Sequence, residues 1–272
     1  MALGAKLLLV GCGKMGGAML TGWLERRIVQ EAVVVEPSAA AVAPFRDRPG
    51  VWLTGGIEGV AAHFQPDVVV FAVKPQNMDE VLPAYVRFVR PQTVFLSIAA
   101  GKTVAAFTRH LGARAAVIRA MPNTPAAVGR GMTVLYANRN VMPDQTALCQ
   151  QLLEAVGEVA WIGDEALMDA VTAVSGSGPA YVFLLIETMA EAGIKAGLPD
   201  KLARQLARVT VAGAGELARQ SSEPADVLRK NVTSPGGTTA AALEILMAPE
   251  GMAKLMDAAV AAAARRSREL AG

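Results

Sequence analysis

An α/β fold, with a doubly wound parallel sheet in the N-terminal part and an all-helical C-terminal part, is what this sequence predicts, and three observations carry it. An apolar run, Lys6-Leu7-Leu8-Leu9-Val10, feeds directly into Gly11-Cys12-Gly13-Lys14-Met15-Gly16, and an amphipathic run through Ala18-Met19-Leu20 and Trp23-Leu24 follows. Short apolar runs then alternate with helix-like segments as far as Ile162. From Gly163 onward the strand patterns stop and long Ala/Leu/Met-rich segments take over. Strand–helix alternation implies right-handed crossovers, hence a parallel sheet with helices on both faces.

The first stretch reads as strand, tight turn and helix, the context that a G-x-G-x-x-G dinucleotide fingerprint requires. Gly11 permits the turn, Gly13 lets backbone approach a pyrophosphate, and Gly16 lets the helix pack close to the strand. Free N–H groups and the dipole at the helix start then hold the anion. Glycine-rich turns also arise for purely structural reasons, so a second signal matters. The next strand, Ala32-Val33-Val34-Val35, ends in Glu36, twenty residues after Gly16. A carboxylate there accepts hydrogen bonds from an adenosine ribose. Cys12, inside the glycine loop, reads as a small filler and not as a nucleophile.

A polar stretch with Pro37, Pro44 and Pro49-Gly50 leads to the short extended segment Val51-Trp52-Leu53. Asp67 to Val73 is a continuous apolar run, as in a strand buried on both faces. It stops at Lys74-Pro75, which places Lys74 at the carboxyl edge where ligands bind in open α/β sheets. Lys74 there also suits a plain solvated strand end. Met78 to Val89 predicts a helix, Thr93 to Ile98 a strand closed by Ala99-Ala100-Gly101, Thr103 to Leu111 a helix, and Ala115 to Ile118 a strand. The proline-stiffened loop Arg119-Ala120-Met121-Pro122-Asn123-Thr124-Pro125 follows, then a strand over Thr133–Tyr136, a helix over Pro143–Val156 and a last strand over Val159–Ile162.

In the helical half, Ser175-Gly176-Ser177-Gly178 reads as a tight helix-packing loop before a helix over Pro179–Ala196, with the proline suited to a first turn. Helices over Pro199–Arg219, Pro224–Asn231, Thr239–Met247 and Gly251–Leu270 complete it. The polar island Asn231-Val232-Thr233-Ser234-Pro235-Gly236-Gly237-Thr238-Thr239 interrupts them. Hydroxyls and free N–H groups at a helix start make an anion cradle, although Ser/Thr capping alone explains them too.

The 272 residues suffice for two ordinary domains. A 53% apolar and 18% charged composition is globular, and a net charge of +2 carries no bias toward nucleic acid or membrane. Two cysteines make no disulfide framework, and no local His/Cys/Asp spacing suits a metal. No apolar run reads as long enough to span a bilayer and no secretory leader is evident, so the expected compartment is the cytoplasm. Arg265-Arg266-Ser267-Arg268 reads as cations complementing the dipole of the final helix.

Six blocks in order resemble the pyrroline-5-carboxylate reductase family over essentially the whole chain. They are Val10–Gly16, Ala72-Val73-Lys74-Pro75, Ser97-Ile98-Ala99-Ala100-Gly101, Arg119–Pro125, Ser175-Gly176-Ser177-Gly178-Pro179-Ala180-Tyr181 and Ser234-Pro235-Gly236-Gly237-Thr238-Thr239. The resemblance implies NAD(P)H-dependent reduction of 1-pyrroline-5-carboxylate to L-proline, the last step of proline synthesis. It implies a Rossmann domain, placed at 1–163, and a helical substrate-binding and dimerisation domain, placed at 164–272, forming homodimers that in the family often assemble into decamers. It puts Val10, Gly11, Cys12, Gly13, Lys14, Met15, Val73, Lys74, Pro75, Ala100 and Asn231 on the cofactor, beside Glu36. It puts Glu165, Ser234, Gly237, Thr238 and Thr239 on the substrate, with Thr239 bonded to the ring nitrogen as the catalytic residue. Taken alone, Glu165 is a helix-start carboxylate that suits the dipole. Arg119 suits a structural ion pair.

Many members of the family carry a small polar residue where this chain has Glu36. A carboxylate repels a 2′-phosphate and binds a free 2′-hydroxyl, so the sequence predicts a preference for NADH over NADPH. Ser38 and Arg46 rescue NADPH only if their loop folds back. Two other readings stay open. A β-hydroxyacid dehydrogenase of this architecture would need a lysine on the long helix, where Lys195 is poorly located. A non-catalytic NAD(H) sensor would have no use for the Ser234–Thr239 island.

Overall fold

The computed structural model describes residues 4–271. It resolves into two compact units, one running to Gly176 and taking back the chain from Ala264, the other Ser177–Ala263.

The first unit is built on strands β1 (Ala5–Val10), β2 (Val29–Val35), β3 (Val51–Thr54), β4 (Val68–Phe71), β5 (Val94–Ser97), β6 (Ala116–Met121), β7 (Gly131–Ala137) and β8 (Gly157–Trp161). Between them lie α1 (Lys14–Glu25), α2 (Ala39–Val42), α3 (Met78–Val81), α4 (Val104–Leu111) and α5 (Pro143–Glu154), with α6 (Met168–Val171) after the last strand. The strand order is 3-2-1-4-5-6-7-8. Chain direction across the sheet reverses its winding between β1 and β4, and a crevice opens there at the carboxyl ends of the strands.

Successive strand residues point to opposite faces, and both faces are packed. Leu7, Leu9, Val34, Val70, Leu96 and Ile118 meet Trp23, Met19 and Leu152 on one side. Leu8, Val10, Val69, Phe71, Phe95 and Val117 meet Tyr85, Phe88 and Phe107 on the other. That explains why these strands read as unbroken apolar runs.

The structure departs from the expectation in three places. Strands β6 and β7 pair antiparallel, and β8 follows β7, so the sheet is parallel only as far as β6. The link between them is shorter than the dozen or so residues that a parallel crossover needs. The helix expected over Met78–Val89 is α-helical only to Val81 and continues as a 3-10 helix over Leu82–Phe88. Pro83 has no N–H to continue the α-helical ladder. Ser175 to Gly178 is no loop: Thr172–Gly176 is a π-helical turn that runs into α7 (Gly178–Lys195). A Cβ on Gly176 would meet the methyl end of the flexible Met121 side chain, which can shift aside, so packing alone does not dictate that glycine. Because helix continues through this block, Glu165–Lys195 is a 31-residue helical run containing an 18-residue stretch of mean hydropathy 1.3, long and apolar enough by length and composition alone to cross a membrane. That overturns the expectation that no run reaches this length.

The second unit comprises α7, α8 (Asp200–Gln220), α9 (Ala225–Asn231), α10 (Thr238–Leu246) and most of α11 (Met252–Ala271). Among its described residues the buried ones are Ala190, Ala203 and Ala207, from the pair α7 and α8. Phe183, Leu184, Val209, Ile245 and Leu255 are exposed.

Candidate active site

In the first unit, a cavity of about 580 Å³ opens at the carboxyl ends of β1, β2 and β4. Its size is that of a small-molecule or cofactor site. Val10, Gly11 and Gly13 form one wall, Val35 and Glu36 another, and Val73 with Lys74 a third. Gly11 adopts φ +90, and a Cβ there would strike the Ala72 carbonyl oxygen at 2.8 Å. A Cβ on Gly16 would come to 2.4 Å of the Gly11 carbonyl oxygen, so this glycine sets the approach of helix to turn. Gly13 is different, since a Cβ there would meet nothing within 4 Å. Its bare backbone borders open space, where an incoming anion needs room. Gly13 is also the N-cap of α1, with no side-chain cap and no acidic residue in the first turn. The N–H groups of that turn and the dipole behind them suit a pyrophosphate.

Glu36 is fastened by backbone. One carboxylate oxygen accepts from the Cys12 N–H at 2.7 Å and the other from the Ser38 N–H at 2.9 Å. The carboxylate therefore faces the glycine loop, as hydrogen bonding to a ribose requires. Cys12 gives the loop its N–H only, because its side chain is 2% exposed within the core. Burial, and then the Glu36 charge, push its thiol up to about 11, so it stays protonated at neutral pH. The reading of Cys12 as a filler agrees with this placement.

Lys14 is the exposed first residue of α1, and Met15 packs on the core from its first turn. Pro75 opens a 3-10 turn, Pro75–Asn77, whose Asn77 reaches the cavity. Ala100 lies in the loop after β5, outside the residues that line this cavity. Sequence reasoning missed Glu58, Glu80 and Tyr85, which also line it. Tyr85 is anchored edge-on to Phe71 at 5.2 Å, and burial raises its phenol well above the usual value. The Gly55-Gly56 pair after β3 was the available signal for that wall. Arg46 ends the 3-10 turn Ala43–Phe45, is exposed, and does not line the cavity.

Glu165 forms an ion pair with Arg119 at 2.6 Å, and the same oxygen accepts from the Val104 N–H at 2.8 Å. The carboxylate thus ties the end of β6 to the start of α4. The ion-pair role expected of Arg119 is what its geometry displays.

The Ser/Thr island belongs to the second unit. Ser234 and Thr238 are exposed, and Thr239 is half-buried. Gly237 is the N-cap of α10 with no side-chain cap, and its N–H closes a turn onto the Ser234 carbonyl at 3.0 Å. Thr238 and Thr239 therefore open a helix whose first N–H groups have no side-chain cap and share their turn with two hydroxyls, an arrangement suited to an anion. The Asn231 amide donates to Glu223 at 3.3 Å. Among the described residues no group of three or more His, Cys, Asp or Glu side chains is placed to hold a metal ion.

Residues 165–270 match the family model for pyrroline-5-carboxylate reductase dimerisation, and residues 6–101 match that for NADP oxidoreductase, coenzyme F420-dependent. Pyrroline-5-carboxylate reductase of Pseudomonas aeruginosa is 42% identical over 98% of this chain and 97% of its own. The Synechocystis enzyme of that name is 40% identical over 97% and 98%. A Coxiella burnetii pyrroline-5-carboxylate reductase structure superposes with a TM-score of 0.91 at 33% identity, covering 99% of each chain. A Plasmodium falciparum pyrroline carboxylate reductase with NADP bound superposes at 0.82 and 30% identity, covering 98% of each. The chain belongs to the pyrroline-5-carboxylate reductase family, NAD(P)H-dependent oxidoreductases that act on a CH–NH group in the final step of proline biosynthesis.

Proposed function

We propose that this reductase takes its hydride from NADH in preference to NADPH, and that one observation carries the preference: the Glu36 carboxylate, pinned by the Cys12 N–H at the cavity wall. A fixed carboxylate accepts from a ribose 2′-hydroxyl and opposes a 2′-phosphate. Glu58 and Glu80 add negative charge to the same lining, against Lys74 as its cation. Rates with NADH and NADPH measured in parallel test this. A higher kcat/KM for NADH supports the preference, and equal or reversed values refute it.

When bound, reduced nicotinamide supplies the hydride; the chain's own residues bind and orient. Val10 to Met15 hold the pyrophosphate through backbone N–H groups, while Val73, Lys74, Pro75, Ala100 and Asn231 border the rest of the cofactor. Ser234, Gly237 and Thr238 hold the substrate carboxylate, and Glu165, its direction fixed by Arg119, faces the same substrate. The Thr239 hydroxyl bonds the ring nitrogen as its charge changes. A cyclic iminium is already electrophilic, so most of the acceleration comes from fixing distance and angle. No His or Cys base is needed, which suits a chain whose Cys12 thiol stays protonated.

In this reading, residues 1–163 serve the dinucleotide and 164–272 serve substrate binding and dimerisation. The dimer is the minimal assembly, with a decamer as the larger one, acting in the cytoplasm without nucleic acid or membrane partners. The uncovered apolar residues of the second unit, Phe183, Leu184 and Val209 among them, support self-association.

A further inference from the structure

The loop after β5 is fastened at both ends. At its start the Ala99 N–H donates to the Ser97 hydroxyl at 3.2 Å. At its end Thr103 caps α4 through the Ala106 N–H, and the Val104 N–H donates to Glu165 at 2.8 Å. Its middle is Gly101, buried and left-handed at φ +76. A Cβ on Gly101 would come to 3.4 Å of the Leu270 carbonyl carbon and 3.5 Å of its Cβ. The end of α11 therefore runs beside the midpoint of this loop, near enough that a side chain at 101 would touch it.

That helix end is itself held. Ser267 is one turn before Leu270 on the same face of α11, since residues three apart are neighbours on a helix. The Ser267 side chain is 5% exposed, and its hydroxyl donates to the Asp169 carboxylate of α6 at 2.6 Å. A hydroxyl-to-carboxylate bond of this length, part-buried between the two helices, is of the strong, directional kind. None of Ser267, Asp169 and Leu270 is among the residues proposed above to hold cofactor or substrate.

We propose that the last turns of α11 position the cofactor loop: Ser267 and Asp169 lock the helix end, and Leu270 backs Gly101 so that Ala100 keeps its place beside the cofactor. The proposal rests on Ala100 bordering the cofactor, as proposed above. Ser267 and Asp169 are thus positioning residues, acting through the loop without touching cofactor or substrate.

The test is steady-state kinetics on the full-length enzyme, with thermal melting of each variant. Ser267→Ala is expected to raise the KM for the nicotinamide cofactor about fivefold while kcat changes by less than about twofold, the signature of lost cofactor binding. Ser267→Thr keeps the hydroxyl and is expected to restore the KM. Asp169→Asn keeps an acceptor and is expected to fall between the two. A Ser267→Ala enzyme with a lower Tm and an unchanged cofactor KM has lost only structural support, and the proposal fails. An unchanged KM and Tm, or a raised KM that Ser267→Thr does not relieve, overturns it equally. Ala100→Val separates this failure from failure of the underlying reading. If Ala100→Val leaves the cofactor KM unchanged, Ala100 does not border the cofactor. If it raises that KM and Ser267→Ala does not, the positioning role alone is wrong.

Discussion

The two units stabilise themselves in different ways. The first has a sheet covered on both faces, with Trp23, Phe71, Phe95 and Phe107 wholly excluded from solvent. The second, among its described residues, buries three alanines and leaves Phe183, Leu184, Val209, Ile245 and Leu255 exposed. Hydrophobic burial is the main driving force for folding, so the first unit supplies its own and the second obtains it by association. Their binding features follow suit. The cavity of the first unit is shaped by backbone geometry beside a packed core, whereas the Ser/Thr island of the second is a helix start on a surface.

The sharpest way to break the contrast is to charge the apolar surface. Leu184→Glu would carry an unpaired carboxylate into any interface covering that face, which is strongly unfavourable. It should weaken self-association more than about 100-fold while leaving the first unit folded, as sedimentation and circular dichroism would register. An oligomer of unchanged size would place the interface elsewhere.

Next is Glu36→Ser, within the first unit. Removing the carboxylate should raise the NADPH-to-NADH ratio of kcat/KM by about 10–100-fold. A ratio that stays put would show that the pinned carboxylate does not face the 2′ position.

Thr239→Ala tests the cradle of the second unit. It should lower kcat about tenfold with the cofactor KM within about twofold, as expected for a hydrogen bond to the reacting nitrogen. Loss of cofactor affinity with unchanged turnover would move Thr239 to the other half of the chemistry.

Stability against pH separates the units more gently. The Cys12 thiol titrates at 9.0 when unperturbed and is pushed up to about 11 in the fold. The stability this gives is complete below pH 9.0 and is lost as pH rises through about 11. Buried Cys149 shifts in the same direction. Urea titrations between pH 8 and 11 should fall on this alkaline limb, and Cys12→Ala should make it shallower while the Cys149 part remains.

The smallest effect is at the exposed Asp79, which accepts from Lys102 at 2.7 Å and approaches His110 at 3.2 Å. The Lys102 hydrogen bond, more than His110, lowers its carboxyl below the usual 3.8. That contribution is present above pH 3.8 and fades as pH falls below it. Surface pairs are weak, so Asp79→Asn should change Tm at neutral pH by less than about 2 °C.

The sequence made local geometry legible. The strand–glycine–helix run and the carboxylate closing β2 are contiguous or one crossover apart, so their chemistry could be read along the chain. The helical island was legible because glycines and hydroxyls interrupt an alanine-rich background. What the sequence hid depends on distant pairs. Glu165 meets Val104 and Arg119 across 61 and 46 residues, and no spacing rule encodes that bond. Glu58 and Tyr85 reach the cavity from separate elements. The reversal at β7 depended on a short link whose prolines announced stiffness without announcing direction. At Ser175 to Gly178, glycine and proline signalled a break, and a π-turn absorbed them within a helix.

The bond from Ser267 back to Asp169 also has a consequence in time. The two residues are 98 positions apart, so a ribosome adding roughly 5–20 residues per second makes the hydroxyl about 5–20 s after its acceptor. The sheet can therefore assemble during synthesis with the seat for the helix end still vacant. Meanwhile the residues of the second unit, Ser177–Ala263, are synthesised. The end of α11 is thus the last piece of the first unit to be made, and its seat beside Asp169 fills only after the whole of the second unit has been synthesised.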